Sequence, residues 1–349
     1  MGASGVGLPA NSARAGDVKR GMDSTPDIIQ VKDLVKRYGK LEAVRGVSFA
    51  VRQGEIFGFL GPNGAGKTTT INVLCTLLRP TSGQAMVNGY DVLQQRSQVR
   101  RSIGLVFQEP TIDDYLTAEQ NLRFHAYAYG VPVAVRELRI KEMLTMVELW
   151  DRRKSRVRTY SGGMKRRLEI ARGLIHHPRV LFLDEPTLGL DPQTRRLIWD
   201  YILELRRQES LTIFLTTQYM DEAEVCDRIA IIDNGQIVAL DTPDRLKDTV
   251  GGDLVSLRAG DNVAAVRELQ ERYHVSPQVE NGVVSFSVPR GEEFLPDFVR
   301  GFGQHLLSVG VRRPTLDDVF LKLTGRAIRE QAPDAFEHMK RMRRRTGGH

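Results

Sequence analysis

Gly61, Pro62, Asn63, Gly64, Ala65, Gly66, Lys67, Thr68 and Thr69 put three glycines, a lysine and two hydroxyls into one short stretch, a pattern suited to holding a polyphosphate. Glycine admits positive φ and close backbone approach, so successive amides in such a loop can turn toward phosphate oxygens. Lys67 would reach the β- and γ-phosphates of a nucleotide, and the Thr68 hydroxyl would meet a hard cation such as Mg²⁺. A second pair, Asp184 and Glu185, follows the all-apolar run Val180 to Leu183, which reads as a parallel strand buried on both faces. Open α/β folds bind ligands at the carboxyl edge of such strands. Asp184 there suits a metal anchor, and Glu185 suits the group that orients or deprotonates an attacking water. Taken alone, an Asp-Glu pair after a strand is more often a solvated strand end, and the glycine-rich loop is what gives it weight.

These side chains need elements to hold them. Asp27 to about Ala50 alternates loosely around Tyr38, Gly39 and Lys40, which predicts an antiparallel β edge with a hairpin turn. A strand, Ile56 to Leu60, precedes the glycine-rich loop, and a helix through Ile71, Val73 and Leu77 follows it and stops at Pro80. From about Leu93 to His177 the pattern is mainly helical. Thr117 with Gln120 forms a capping box, and Ile140, Leu144 and Val147 mark another amphipathic face, so an inserted helical subdomain is expected. Asp191 should cap a helix that has Pro192 in its first turn and Leu197, Ile198, Tyr201, Ile202 and Leu205 as its apolar stripe. A β-branched strand, Leu211 to Thr217, comes next, and Asn234-Gly235 marks a later hairpin. Past a linker at Lys247 to Asp253, the runs Leu254 to Leu257, Val266 to Tyr273, Val283 to Val288 and Phe294 to Leu307 read as a small β-α-β-α module. It ends in a helix capped by Thr315.

The chain has 349 residues, 41% hydrophobic and 27% charged, which fits a folded globular protein and argues against a wholly disordered or membrane-embedded chain. No apolar run reaches membrane-spanning length, and Met1 to Pro26 lacks the apolar core of a secretory signal, so it reads as a disordered leader. Cys75 and Cys226, both expected inside helices, read as buried structural thiols in a reducing compartment. The net charge of +7 gathers at Arg152, Arg153, Lys154, Arg156, Arg158, Lys165, Arg166 and Arg167, and again at Lys340, Arg341, Arg343, Arg344 and Arg345. A solvated face with a loose tail accounts for these runs at least as well as a surface for anions.

Tyr160-Ser161-Gly162-Gly163-Met164 resembles the signature of the ATP-binding cassette (ABC) family, and it opens a helix running to His177 immediately before the Val180 strand. A Ser-Gly-Gly helix start offers a hydroxyl, bare amides and a positive dipole end, which makes a second anion site. The glycine-rich loop and Asp184-Glu185 by themselves leave kinases, GTPases and helicases open. The signature opposes a kinase, and the lack of an Asn-Lys-x-Asp run opposes a guanine site.

The resemblance covers about Asp27 to Leu240 and implies an α/β P-loop NTPase fold of the ABC nucleotide-binding type, with a parallel core sheet, an antiparallel β edge and an inserted helical subdomain. ATP and Mg²⁺ would be its cofactors. Lys67, Glu185 and Gln218 would carry catalysis, with Thr68, Gln108 and Asp184 about the metal. Tyr38 is similar to the family's adenine-stacking aromatic, Gln108 to its loop that links Mg²⁺ to a permease, and Asp191 to its dimer-facing loop. In the family, Ser161, Gly162 and Gly163 of one subunit would close on the ATP held by another. Most members carry His where Gln218 stands; Gln keeps hydrogen bonding to a γ-phosphate but has no imidazole chemistry. Thr-Thr-Gln-Tyr-Met-Asp-Glu-Ala at 216–223 and Arg313-Pro314-Thr315-Leu316-Asp317-Asp318-Val319-Phe320 look like the daunorubicin-resistance branch of drug-export ATPases.

The implied organisation is a leader at 1–26, an ATPase domain at 27–245 with its helical subdomain at about 93–177, a C-terminal α+β domain at 251–325 for dimer stabilisation or regulation, and a basic flexible tail at 326–349. The implied partners are an integral membrane permease and a second ATPase subunit, in a homodimer on the cytoplasmic face of the cell membrane, with no nucleic acid. The alternative is a soluble ABC ATPase acting on the ribosome or nucleic acid. That reading would suit the basic balance, but it usually comes with two cassettes in one chain or a long coiled-coil insertion, neither of which is visible.

Overall fold

The computed structural model describes residues 25–209 and 211–325. The expected leader and basic tail lie outside the described residues, except for Thr25 and Pro26.

The chain opens with a hairpin, β1 (Asp27–Tyr38) and β2 (Leu41–Arg52), whose register closes on Tyr38 opposite Leu41 across a turn with Gly39 at φ +59. β3 (Ile56–Leu60) is buried along its whole length, and α1 (Lys67–Leu74) follows the glycine-rich loop. β4 (Ser82–Val87) and β5 (Tyr90–Asp91) then complete an antiparallel sheet ordered β2-β1-β4-β5. α2 (Arg96–Ser102) leads into β6 (Ile103–Val106), and α3 (Ala118–Ala128), α4 (Val133–Met146) and α5 (Gly162–Leu174) come after. The capping box at Thr117 and Gln120 is present at the start of α3.

The α/β alternation resumes with β7 (Val180–Asp184), α6 (Pro192–Glu209), β8 (Thr212–Thr217), α7 (Met220–Glu224), β9 (Arg228–Asp233) and β10 (Gln236–Asp241). The central sheet runs β10-β9-β3-β8-β7-β6; every neighbouring pair is parallel except the β9–β10 hairpin, where Asn234 and Gly235 both take positive φ. α8 (Pro243–Asp248) leads to a third sheet, with β11 (Asp253–Ala259), α9 (Asn262–Arg272), β12 (Gln278–Glu280), β13 (Val283–Val288), α10 (Gly291–Gly301) and β14 (Leu306–Arg312). Its strands are ordered β12-β13-β11-β14, and α11 (Leu316–Thr324) is the last described helix.

The period-two pattern of the central strands divides the interior between two faces. Phe57, Phe59, Phe182 and Phe214 point to one face, where Phe57, Phe59 and Phe214 meet Phe49 of β2 and Phe182 packs on Phe214, with Phe49 and Phe57 stacked at 5.5 Å between ring centroids. Ile56, Leu60, Leu181, Leu183, Ile213 and Leu215 point to the other, where α5 and α6 cover them with Leu168, Ile170, Ile198 and Ile202. The third sheet has its own core around Val255, Leu257, Leu269, Phe286 and Phe298.

Four sequence expectations change. β6 lies inside the segment read as helical, yet it is the edge strand of the central sheet, paired in parallel with β7. The third sheet has β12 and β14 besides the two strands expected, and Leu306 and Leu307 belong to β14 rather than to a helix. Cys75 and Cys226 are buried and free but sit just past the ends of α1 and α7 instead of within them. Finally α11, assigned by sequence to the C-terminal domain, packs with α7 and α8, and its Leu316, Val319 and Phe320 belong to the main core. Its Thr315 cap is present, with Thr315 N donating to Asp318 Oδ2 at 2.8 Å. Phe320 is 1% exposed. Phe320→Ala is therefore expected to destabilise the main core by about 3–5 kcal/mol in chemical denaturation, and a loss below about 1 kcal/mol would show that α11 adds little to it.

Candidate functional site

The glycine-rich loop is fixed from three sides. Gly61 N donates to Thr217 O at 3.2 Å, Gly235 N donates to Ala65 O at 3.0 Å, and Gly66 takes φ +105 directly before α1. A Cβ at Gly61 would lie 2.2 Å from Ile232 O, so only glycine lets the loop pass under β9. Asn63, Gly64 and Thr68 face solvent, Pro62 and Thr69 are half-buried, and Ala65 and Lys67 are buried. Lys67 folds back over the loop: Nζ donates to Gly61 O at 2.7 Å and Pro62 O at 3.2 Å, and it pairs with Glu185 Oε1 at 3.1 Å. Burial lowers the Lys67 pKa, and the Glu185 carboxylate offsets part of that shift.

Parallel pairing sets Asp184 at the end of β7 beside Thr216 of β8. Asp184 Oδ1 accepts from Thr216 Oγ1 at 2.6 Å and from Thr68 Oγ1 at 3.3 Å. Glu185 sits at φ +44, a conformation uncommon for residues with a side chain. Its backbone N donates to Thr216 O and Oγ1, while Gln108 Nε2 donates to its Oε2 at 3.4 Å. Gln218, next along from β8, is buried. Lys67, Thr68, Gln108, Asp184 and Glu185 are thus joined in one hydrogen-bonded cluster at the carboxyl edge of the central sheet.

The remaining sequence candidates have their neighbours elsewhere. Ser161 caps α5 by accepting from Met164 N at 3.3 Å. Gly162 borders Leu190, and a Cβ at Gly163 would come within 2.5 Å of Thr194 Cγ2, so the signature packs against the start of α6. Asp191 accepts from Thr194 N at 3.0 Å as the cap of that helix, and the Thr194 hydrogen bonds hold its carboxyl below the usual range. Tyr38, at the β1–β2 turn, is exposed with Lys36 Nζ 5.1 Å from its ring centroid.

Sequence reasoning missed Arg166 and left it in a charge run that could have been solvated; it is 5% exposed. Its guanidinium donates to Phe107 O beside Gln108, to Asp184 O, to Glu185 O and to Pro186 O, and it pairs with Glu169 at 3.1 Å. Glu169 in turn accepts from Thr111 N at 2.7 Å. One buried arginine of the signature helix therefore holds the backbone on both sides of this cluster. Helical spacing could have found it, since Arg166, Glu169, Ile170 and Gly173 share one buried stripe of α5.

A phosphate-cradling loop with its lysine, an Asp-Glu pair after a neighbouring parallel strand and a Ser-Gly-Gly helix start define a P-loop ATPase with an ATP-binding cassette. The sequence model of the family described as ABC transporter matches residues 44–188. The chain is 41% identical over 312 residues to the daunorubicin resistance ATP-binding protein DrrA3 of Streptomyces coeruleorubidus, covering 87% of this chain and 98% of that protein. It is 37% identical to the linearmycin resistance ATP-binding protein LnrL of Bacillus subtilis, covering 87% of this chain and all of the relative. Among solved structures, an ATP-binding subunit of an ABC transporter superposes with a TM-score of 0.59 at 32% identity, over 64% of this chain and 93% of that one. A dimeric cassette in a post-hydrolysis state bound to ADP and Pi gives 0.56 at 26% identity, over 61% of this chain and 98% of that one. The chain belongs to the ABC transporter ATP-binding proteins, in their daunorubicin-resistance branch, and it is an ATPase.

Proposed function

We propose that this ATPase drives a separate integral membrane permease from the cytoplasmic face of the cell membrane, works as a dimer, and powers export of a drug-like, apolar compound. The observation that carries this reading is that the residues suited to holding phosphate fall into two groups on separate elements. Lys67, Asp184 and Glu185 form one cluster, while Ser161 to Gly163 open a different helix packed on Leu190 and Thr194. A second copy turned head to tail supplies the complementary part to each nucleotide, and the resistance functions in the relatives' names support export. No helix among the described residues is long and apolar enough to cross a membrane, which is consistent with a separate permease.

In this reading Tyr38 stacks on adenine and the amides of 61–69 hold the phosphates. Lys67 binds the β- and γ-phosphates. Thr68 Oγ1 and Asp184 Oδ1 stand 3.3 Å apart, an all-oxygen set that fits Mg²⁺, with Gln108 completing it. When bound, the ion neutralises charge building on the phosphate oxygens. Glu185 takes a proton from water as the water oxygen bonds to the γ-phosphorus and the bond to ADP breaks, and Gln218 hydrogen-bonds the γ-phosphate. Asp191, in the loop beside the signature, faces the second subunit.

The test is affinity capture of the tagged chain from detergent-solubilised membranes, together with ATP turnover measured against protein concentration. A polytopic membrane protein is expected to come with it, and specific activity should rise with concentration. A strict monomer hydrolysing at full rate, unaffected by Ser161→Ala, would overturn the dimeric reading.

A further inference from the structure

Glu222 belongs to α7 and has no part in the reaction described above, yet its carboxyl group is among the most enclosed acids of the chain, at 1% exposure. Both of its oxygens accept from threonine hydroxyls. Thr187 Oγ1 donates to Oε1, and Thr217 Oγ1 donates to Oε2 at 2.5 Å. Burial pushes the Glu222 carboxyl above the usual range, and the two hydroxyls pull it back. Thr187 and Thr217 are themselves fully buried, so Glu222 is the acceptor on which their orientation depends.

The positions of those threonines give the contact its meaning. Thr187 stands two residues past Glu185 in the loop that leads to Asp191. Thr217 immediately precedes Gln218, its carbonyl accepts from Gly61 N, and its Oγ1 also accepts from Tyr219 N at 2.9 Å. One side chain thereby joins the end of β8, the start of the phosphate loop and the loop between Glu185 and Asp191. An apolar side chain of similar volume would fill the same space without desolvating a carboxyl, so packing alone does not call for an acid here.

We propose that Glu222 is a positioning residue that clamps the strand end carrying Gln218 to the loop running from Glu185 to Asp191, so that the two respond to nucleotide as one body. The inference rests on the catalytic reading of Glu185 and Gln218 given above. Without the clamp both loops would still form, but each would settle independently, and a misplacement of about 1 Å at a reacting group costs on the order of a hundredfold in rate.

The experiment measures steady-state ATP hydrolysis and equilibrium binding of a fluorescent ATP analogue by the full chain carrying Glu222→Ala, Glu222→Gln or Thr187→Val. Glu222→Ala and Thr187→Val are each expected to lower kcat by about tenfold or more, while KM and analogue affinity stay within about threefold. Glu222→Gln, whose amide can accept from one hydroxyl and donate to the other, should recover most of the loss. Combining Thr187→Val with Glu222→Ala should add little to Glu222→Ala alone, because the bond from Thr187 is already gone in that variant. Unchanged kcat in Thr187→Val, a parallel fall of kcat and nucleotide affinity, or a Gln variant no better than Ala would overturn the proposal. Should Glu222→Ala fail to fold, the near-isosteric Thr187→Val decides alone. If Glu185→Gln alone leaves turnover unchanged, the catalytic reading fails instead, and the two failures are thereby told apart.

Discussion

Lys67→Ala is expected to lower kcat/KM for ATP by at least about a hundredfold, equivalent to about 3 kcal/mol of lost transition-state stabilisation. Lys67 Nζ lies against the phosphate loop, held by Gly61 O and Pro62 O and paired with Glu185. Alanine removes the charge that would meet the β- and γ-phosphates and leaves a 6%-exposed carboxylate without this partner. Two measurements should move together. Nucleotide affinity falls, because the lysine contributes to binding as well as to the transition state, and the thermal midpoint falls because a buried ion pair has been broken from one side. Turnover within about threefold of the unmodified chain would contradict the phosphate role, since loss of one preorganised charge contact costs far more than that.

Glu185→Gln is expected to separate the same two quantities. The amide is close to isosteric and can still accept from Lys67 and stay near Gln108, so ATP binding should persist. It cannot take a proton from water, so kcat should drop on the order of 10²–10⁴-fold, the range ascribed to general-base catalysis. Binding without hydrolysis should also hold the cassettes together, so gel filtration with ATP is expected to show the variant as a dimer. A Glu185→Gln protein with normal kcat would move the base elsewhere. Comparison with Lys67→Ala is informative because one substitution removes binding and turnover while the other removes turnover alone.

How much of this was legible in the sequence follows from how each residue reaches the site. The phosphate loop is contiguous, so composition and the strand-loop-helix order reveal it; Asp184 and Glu185 are readable because β7 is short, apolar and buried throughout. Arg166 was not readable from its surroundings, because Lys165 and Arg167 on either side make a run of three charges, of which only the middle one is fully buried. Thr216 and Glu222 gain their roles from parallel register and from the return of α7 beneath β8, neither of which leaves a local pattern. β6 was absorbed into a helical reading because it has only four residues and follows α2 without a break. For α11 the helix and its cap could be read, but its apolar stripe does not say which core it joins.

The way α11 rejoins the main core has a consequence for how the polypeptide is made. Residues 253–312 build a self-contained sheet, yet the segment after it supplies Leu316, Val319 and Phe320 to the interior that β3, β7 and β8 began forming far earlier in translation. The hydrophobic closure of that core therefore waits until the segment after residue 312 has left the exit tunnel. A product terminated before residue 316 would carry every nucleotide motif and still present a raw apolar seam along α7 and α8, the kind of surface by which chaperones and proteases distinguish unfinished chains from finished ones.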